Sequence, residues 1–289
     1  MNKFWKVMLA VLVGVIIVHI LYGVIFLLIC LSAAGSSSSD VTVKDNSVLK
    51  ISLTADMPDK VTDGMSFDYM SMTPVKQIGL NDALKSIEKA KTDDRITGIY
   101  LDMDGASAGT ATIEELRNKL IEFKESGKFI ISYATAYSQF GYYLASVADE
   151  VYVNPQGGMS WQGMCSQIMF YKNVLEKLGV EMQVFRHGQF KSAVEPYICD
   201  KMSPANRKQY SVLLNSIWGK VCRGISEARG ISVEDLNMYA DSLSLRKAQD
   251  AVTLKFADAV KYYDEVIDEL KAKSGFDGKD KDMFIDLEK

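Results

Sequence analysis

Residues 7–34 and the rest of the chain follow different patterns. Residues 7–34 contain no Asp, Glu, Lys or Arg, and His19 is the one ionisable side chain of note among them. At ~1.5 Å per residue such a helix outreaches the ~30 Å hydrocarbon core of a bilayer. It is also longer than the ~7–15 residues of a signal-peptide apolar region. The pattern predicts an uncleaved transmembrane signal-anchor over 7–34, preceded by a short N-terminus, 1–6.

From residue 47 the pattern shortens. Residues 47–53 alternate apolar and polar, which predicts a first strand. Ala83, Leu84, Ile87 and Ala90 share one face of a helix over 81–90, with Asn81 as its cap. A strand follows at 96–103. A helix at 112–126 has Thr112 and Glu115 spaced as a capping box and Gly127 as its stop. Then come a strand at 129–133, a helix at 139–147 and a strand at 150–153 ended by Asn154-Pro155. This βαβαβαβ order with short connections predicts a parallel sheet with packed helices, an α/β fold. Further on, the pattern gives a helix at 171–178 stopped by Gly179, a strand at 180–186 and a polar loop at 188–201. Ser203-Pro204 opens a long amphipathic helix running to about Arg229. A short helix after Ser232, a brief strand at 259–260 and a helix at 262–273 complete the body. Residues 274–289 read as a charged tail, with the start of a strand at 283–287.

The chain has 289 residues, so the part beyond the anchor suits one large domain, 47–273, after a serine-rich spacer at 35–46. Lys3 and Lys6 precede the apolar run and no basic residue follows it until Lys44. The positive-inside rule then puts the N-terminus in the cytoplasm and the body across the membrane. A net charge of -4 without a block of Lys and Arg argues against nucleic acid as a partner.

Candidate chemistry is sparse. Cys30 lies in the anchor, while Cys165, Cys199 and Cys222 are widely spaced and form no C-x-x-C, so a disulfide framework or zinc site is not expected and they read as small core residues. His187 is the one histidine outside the anchor, and nothing near it supplies the serine and carboxylate of a Ser-His-Asp triad. Lys191 stands in a loop after a strand, among small and apolar neighbours. A lysine held in a partly dry pocket can act as a general base; the plain alternative is an ordinary surface lysine.

Four blocks add context: Tyr137-Ser-Gln-Phe-Gly-Tyr-Tyr-Leu-Ala-Ser146, Ala148-Asp-Glu-Val-Tyr-Val-Asn-Pro155, Lys191-Ser-Ala-Val-Glu-Pro196 and Met202-Ser-Pro204. In order and spacing the chain resembles the signal peptide peptidase A (protease IV) family, specifically the N-terminal half of its long form. The resemblance implies a crotonase-like (Clp-protease-like) α/β fold, one membrane anchor, and a Ser-Lys dyad that cleaves remnant signal peptides, with no cofactor and no metal. Lys191 falls on the family's general base. In the long form the serine comes from a second half. In short members it stands three residues before a Tyr-Tyr pair, a place held here by Gln139. Ser138 is the candidate nucleophile nearest that place, but it is one position off, which on a helix turns the side chain by ~100°. The loop 102–109 falls where members place an oxyanion turn, so Gly105 or Gly109 would supply N–H donors or act simply as turn glycines. Tyr142 and Tyr143 read as core. The implied protein is a serine peptidase of the cytoplasmic (inner) membrane, single-pass, with its body on the extracytoplasmic side. Its expected partners are the membrane, apolar peptides, and a second peptidase half or further copies in an oligomer. Residues 274–289 would then be a linker toward that second half. The alternative is a catalytically inactive, membrane-tethered peptide-binding or assembly module of the same fold.

Overall fold

The computed structural model describes residues 3–34, 43–53, 57–61, 66–68, 73–75, 78–106 and 108–287. The chain divides into two units, Met1–Thr42 and Val43–Lys289. The first contains helix α1 (Lys3–Ala34). Its segment Lys3–Leu27 is long and apolar enough to cross a membrane. His19 does not break it: its Nδ1–H donates to the Val15 carbonyl one turn back, at 2.8 Å. The spacer at 35–42 lies outside the described residues.

The second unit opens with β1 (Ser47–Ser52), β2 (Ser66–Asp68), β3 (Thr73–Val75), α2 (Leu80–Thr92), β4 (Ile96–Asp102), α3 (Thr110–Lys124) and β5 (Phe129–Tyr137). It continues with α4 (Gln139–Ala145), β6 (Glu150–Met159), α5 (Lys172–Lys177), α6 (Glu195–Ile198) and α7 (Pro204–Arg229). It ends with α8 (Val233–Asp241), α9 (Ala248–Thr253), β7 (Ala259–Val260), α10 (Tyr263–Ser274), α11 (Asp280–Met283) and β8 (Phe284–Asp286). Six strands form one sheet in the order β7-β6-β5-β4-β1-β8, each pair parallel. β2 and β3 form a separate antiparallel pair.

Both faces of the central strands are covered, which is why they read as nearly continuous apolar runs. Leu49, Ile51, Ile99, Leu101, Ile130 and Val151 face the larger core with α2, α3, α4 and α7. Val48, Tyr100, Ile131, Tyr133 and Tyr152 face the smaller one, closed by Val266, Ile267 and Leu270 of α10.

Several elements differ from the sequence pattern. α2 starts at Leu80 with Gly79, two residues ahead of Asn81, as its cap, and α3 starts at Thr110 on Gly109 rather than at Thr112. β6 continues through Asn154-Pro155 to Met159. Its pairing with β5 is irregular there, so Pro155 removes no needed ladder donor. The strand expected at 180–186 is absent. Val180, Met182 and Phe185 are exposed there, and no neighbouring strand among the described residues offers a ladder to that stretch.

The tail is not a free linker. Phe276, Met283 and Leu287 are buried, and β8 pairs with β1 through Val48↔Phe284 and Leu49↔Ile285. At the other end, Asn46 donates to the Gly275 carbonyl at 3.0 Å. The folded body therefore extends beyond 47–273 at both ends. Of the cysteines expected in the core, Cys222 is buried, Cys199 is half-buried and Cys165 is exposed.

Candidate active site

The loop after β4 meets the N-terminus of α4. Asp104 fastens this loop to the end of β5: its carboxylate accepts from Thr135 N–H at 2.6 Å, Thr135 Oγ1 at 2.9 Å and Ala136 N–H at 3.3 Å. Gly105 has φ +64°, a left-handed conformation that favours glycine. Gly109 has φ -61° and caps α3, its carbonyl accepting from Ile113 N–H. Ala106 N–H is engaged by the Met103 carbonyl at 3.2 Å.

Ser138 is the N-cap of α4. Its Oγ accepts from Gly141 N–H at 3.1 Å and donates to the Ala106 carbonyl at 3.4 Å. A side chain at Gly141 would meet Ser138 Oγ at 2.9 Å and the Ala106 methyl at 3.3 Å, so glycine permits this close approach. The next residue, Gln139, is also committed. Its Oε1 accepts from Gln162 N–H at 3.1 Å and Gly163 N–H at 3.2 Å, and its Nε2 donates to the Gly163 carbonyl at 3.1 Å. One carboxamide thus serves both backbone polar groups of Gly163, as a neighbouring strand would.

These bonds hold the root of an extended arm, residues 162–203. Just before it, Trp161 is buried beside Tyr142, Trp218 and Phe256, and its Nε1–H donates to the Leu236 carbonyl at 2.8 Å. Tyr142 and Tyr143 are core, as expected. Tyr143 donates to Glu114 at 2.7 Å, and burial together with that carboxylate pushes its hydroxyl up to about 12.

Lys191 sits far along the arm, exposed, in an open groove with Phe185, His187, Phe190 and Ala193. Beside it Glu195 is only 2% exposed. Its carboxylate accepts from Ser203 N–H at 3.1 Å, Ser203 Oγ at 2.6 Å and Asn206 Nδ2 at 3.1 Å, with Arg186 at 4.0 Å. Burial pushes this carboxyl up, and the hydrogen bonds with the Arg186 charge more than reverse it, leaving it below the ordinary 4.5.

The profile of Peptidase family S49 matches residues 122–277, more than half of the chain, spanning the α4 and Lys191 blocks. The chain belongs to peptidase family S49. It is 36% identical over 189 residues to Protease 4 of Salmonella typhi, covering 65% of this chain and 30% of that protein. It is 31% identical over 249 residues to the chloroplastic Serine protease SPPA of Arabidopsis thaliana, covering 86% of this chain and 35% of that protein. Protease 4 of Haemophilus influenzae is 34% identical over 157 residues, 54% of this chain and 26% of that protein. The S49 chain thus spans about a third of the length of these relatives. Its fold is the α/β, Clp-protease-like one that the resemblance implied.

Within this S49 chain the expected site residues fall into two groups. Ser138, Gly105 and Gly109 belong to neighbouring loop and helix ends at the strand tips, linked by the Ser138 Oγ bond to the Ala106 carbonyl. Lys191 is on the arm, in a groove whose lining does not include Ser138, and no hydrogen bond among the described residues joins the two. Of the residues that build this site, Gln139 was singled out from the sequence only as standing in the expected serine's place, and Asp104, Arg186 and Glu195 were given no role there. The turn signature of Asp104-Gly105 points to Asp104. A buried carboxylate is a property of packing, and no residue pattern marks it.

Proposed function

We propose that this chain is the lysine-bearing part of a membrane-anchored serine peptidase that hydrolyses apolar peptides, remnant signal peptides above all. The supporting observation is the separation just described: an exposed lysine on an arm, while Ser138 is occupied as a helix cap and Gln139 fills the serine position. The nucleophile then comes from outside this chain, from a serine-bearing second peptidase half. Neutral Lys191 takes the proton of that serine as its Oγ attacks the scissile carbonyl carbon. Backbone N–H groups stabilise the oxyanion. The C–N bond breaks, the lysine returns the proton to the leaving amine, and water releases the acyl group.

The arm supports assembly. Met169, Leu178 and Phe185 are exposed on it, more apolar surface than an isolated soluble chain normally leaves uncovered. The anchor supports the location: α1 holds the chain in the cytoplasmic membrane with Lys3 and Lys6 inside, and the body lies outside, where released signal peptides remain close to the bilayer.

The test is turnover of an apolar peptide. The chain alone is expected to be silent, and Gln139→Ser to stay silent, since that position faces the arm root rather than Lys191. Addition of a serine-bearing half should bring turnover, which Lys191→Ala lowers by about 10²–10⁴-fold. Turnover that survives Lys191→Ala would exclude the lysine as base. Gln139 at the serine position also favours a second reading, an inactive peptide-binding or assembly module. Peptide binding without turnover in the presence of every serine-bearing half tried would select it.

A further inference from the structure

We propose that Arg186 and Glu195 are positioning residues for Lys191: the buried Glu195 carboxylate fixes the Arg186 guanidinium, which fixes the backbone of the lysine loop. This rests on the reading of Lys191 as the base. Residues 186–194 have no regular secondary structure, so the direction of the lysine side chain must be set by other bonds. Arg186 Nη1 donates to the Lys191 carbonyl at 3.2 Å. Its guanidinium lies 4.0 Å from Glu195, which in turn grips Ser203 and Asn206.

Ser203 is the N-cap of α7, its Oγ accepting from Asn206 N–H at 3.1 Å. At its far end α7 is embedded in the main core through Val221, Cys222 and Ile225. A chain of hydrogen bonds joined by the 4.0 Å Arg186–Glu195 ion pair therefore runs from the core of the body to the main chain of the lysine. A second strap runs beside it. Gln209 of α7 donates to the Phe190 carbonyl at 3.0 Å and accepts from Ser192 Oγ at 3.3 Å. The residues on both sides of Lys191 are thus tied to the first turns of α7.

The choice of charges fits the task. A buried carboxylate is costly unless it is paired and hydrogen-bonded. Glu195 meets that condition through Arg186, Ser203 and Asn206. A carboxylate next to a lysine would favour its charged form, which cannot accept a proton. Here no carboxylate forms an ion pair with Lys191 among the described residues. The acid holds the loop through an arginine and leaves the amine unpaired.

Hydrogen exchange on the full chain, paired with kinetics in the presence of a serine-bearing half, tests this. In Arg186→Ala, amides 188–194 should exchange about tenfold faster, the weight of one charge-assisted hydrogen bond, while β4, β5 and β6 keep their protection. kcat should fall by about 10²-fold, as expected for a misplaced catalytic group, with KM little changed. Arg186→Lys should recover part of both effects, and Glu195→Gln should resemble Arg186→Ala. Unchanged exchange in Arg186→Ala would overturn the proposal, as would kcat and KM that do not move. Should Glu195→Gln fail to fold, the exposed Arg186 still decides the matter. Full turnover by Lys191→Ala would remove the lysine reading alone, because the exchange result judges the strap independently.

Discussion

Glu195 is the side chain through which acid should reach the lysine loop. Its folded pKa lies below the ordinary 4.5, so the unfolded or loosened chain binds a proton more readily than the native one. The stabilisation is therefore complete above about pH 4.5 and is lost as pH falls through the lower, folded value. We expect the arm to become sensitive to an acid protease within that window while the sheet persists. Glu195→Gln should already be cut in the arm by a neutral protease at pH 7 and show no further step with the acid protease. An identical acid step in both proteins would assign it to another group. At the same scale Gln139 explains why one letter of the sequence misleads. It stands where the resemblance implied a serine, and its carboxamide matches the N–H and C=O of Gly163, a role that serine is too short to fill.

Among the elements, those whose burial is decided within the chain were legible. The apolar runs of β1, β4, β5 and β6, and the Ser203-Pro204 start of α7 with its end at Arg229, follow from local pattern and cap chemistry. Cap positions shifted where loop geometry decided, as at Gly109. The stretch at 180–186 has strand composition without a ladder, because strand formation depends on a neighbour that local sequence does not encode. In the tail the strand start at 283–287 was legible and is β8, while the charges around it masked how firmly Phe276, Met283 and Leu287 are buried. Ending the chain after residue 273 would remove β8 and the burial of Phe276, Met283 and Leu287. At roughly 1.5–3 kcal/mol for each fully buried side chain, the loss is on the order of 5 kcal/mol, comparable with the whole stability of a domain. The shortened protein should melt far lower or fail to accumulate. A melting curve matching that of the full chain would mean that β8 is dispensable.

For the molecule as a whole, the body and the arm obey different economies of surface. The body closes two cores around its sheet. The arm buries little, and Phe185 is 96% exposed and Leu178 71%. Tied at one end by Gln139 and at the other by the Glu195 cluster, it holds these side chains outward instead of letting them collapse onto the body. Lys191 lies in the groove beside Phe185, so a surface that covers the apolar side chains also dries the lysine and can bring it a serine. Assembly and catalysis would then share one interface. In detergent, light scattering should give a protein mass above that of a single 32.1 kDa chain. The double variant Leu178→Asp, Phe185→Asp should return the mass to one chain without lowering the melting temperature of the body. The same variant should fail to gain turnover when a serine-bearing half is added, even though Lys191 is intact. A single-chain mass for the unaltered protein, combined with turnover that survives the double variant, would separate the lysine's chemistry from the arm's apolar surface and leave that surface without a role in the reaction.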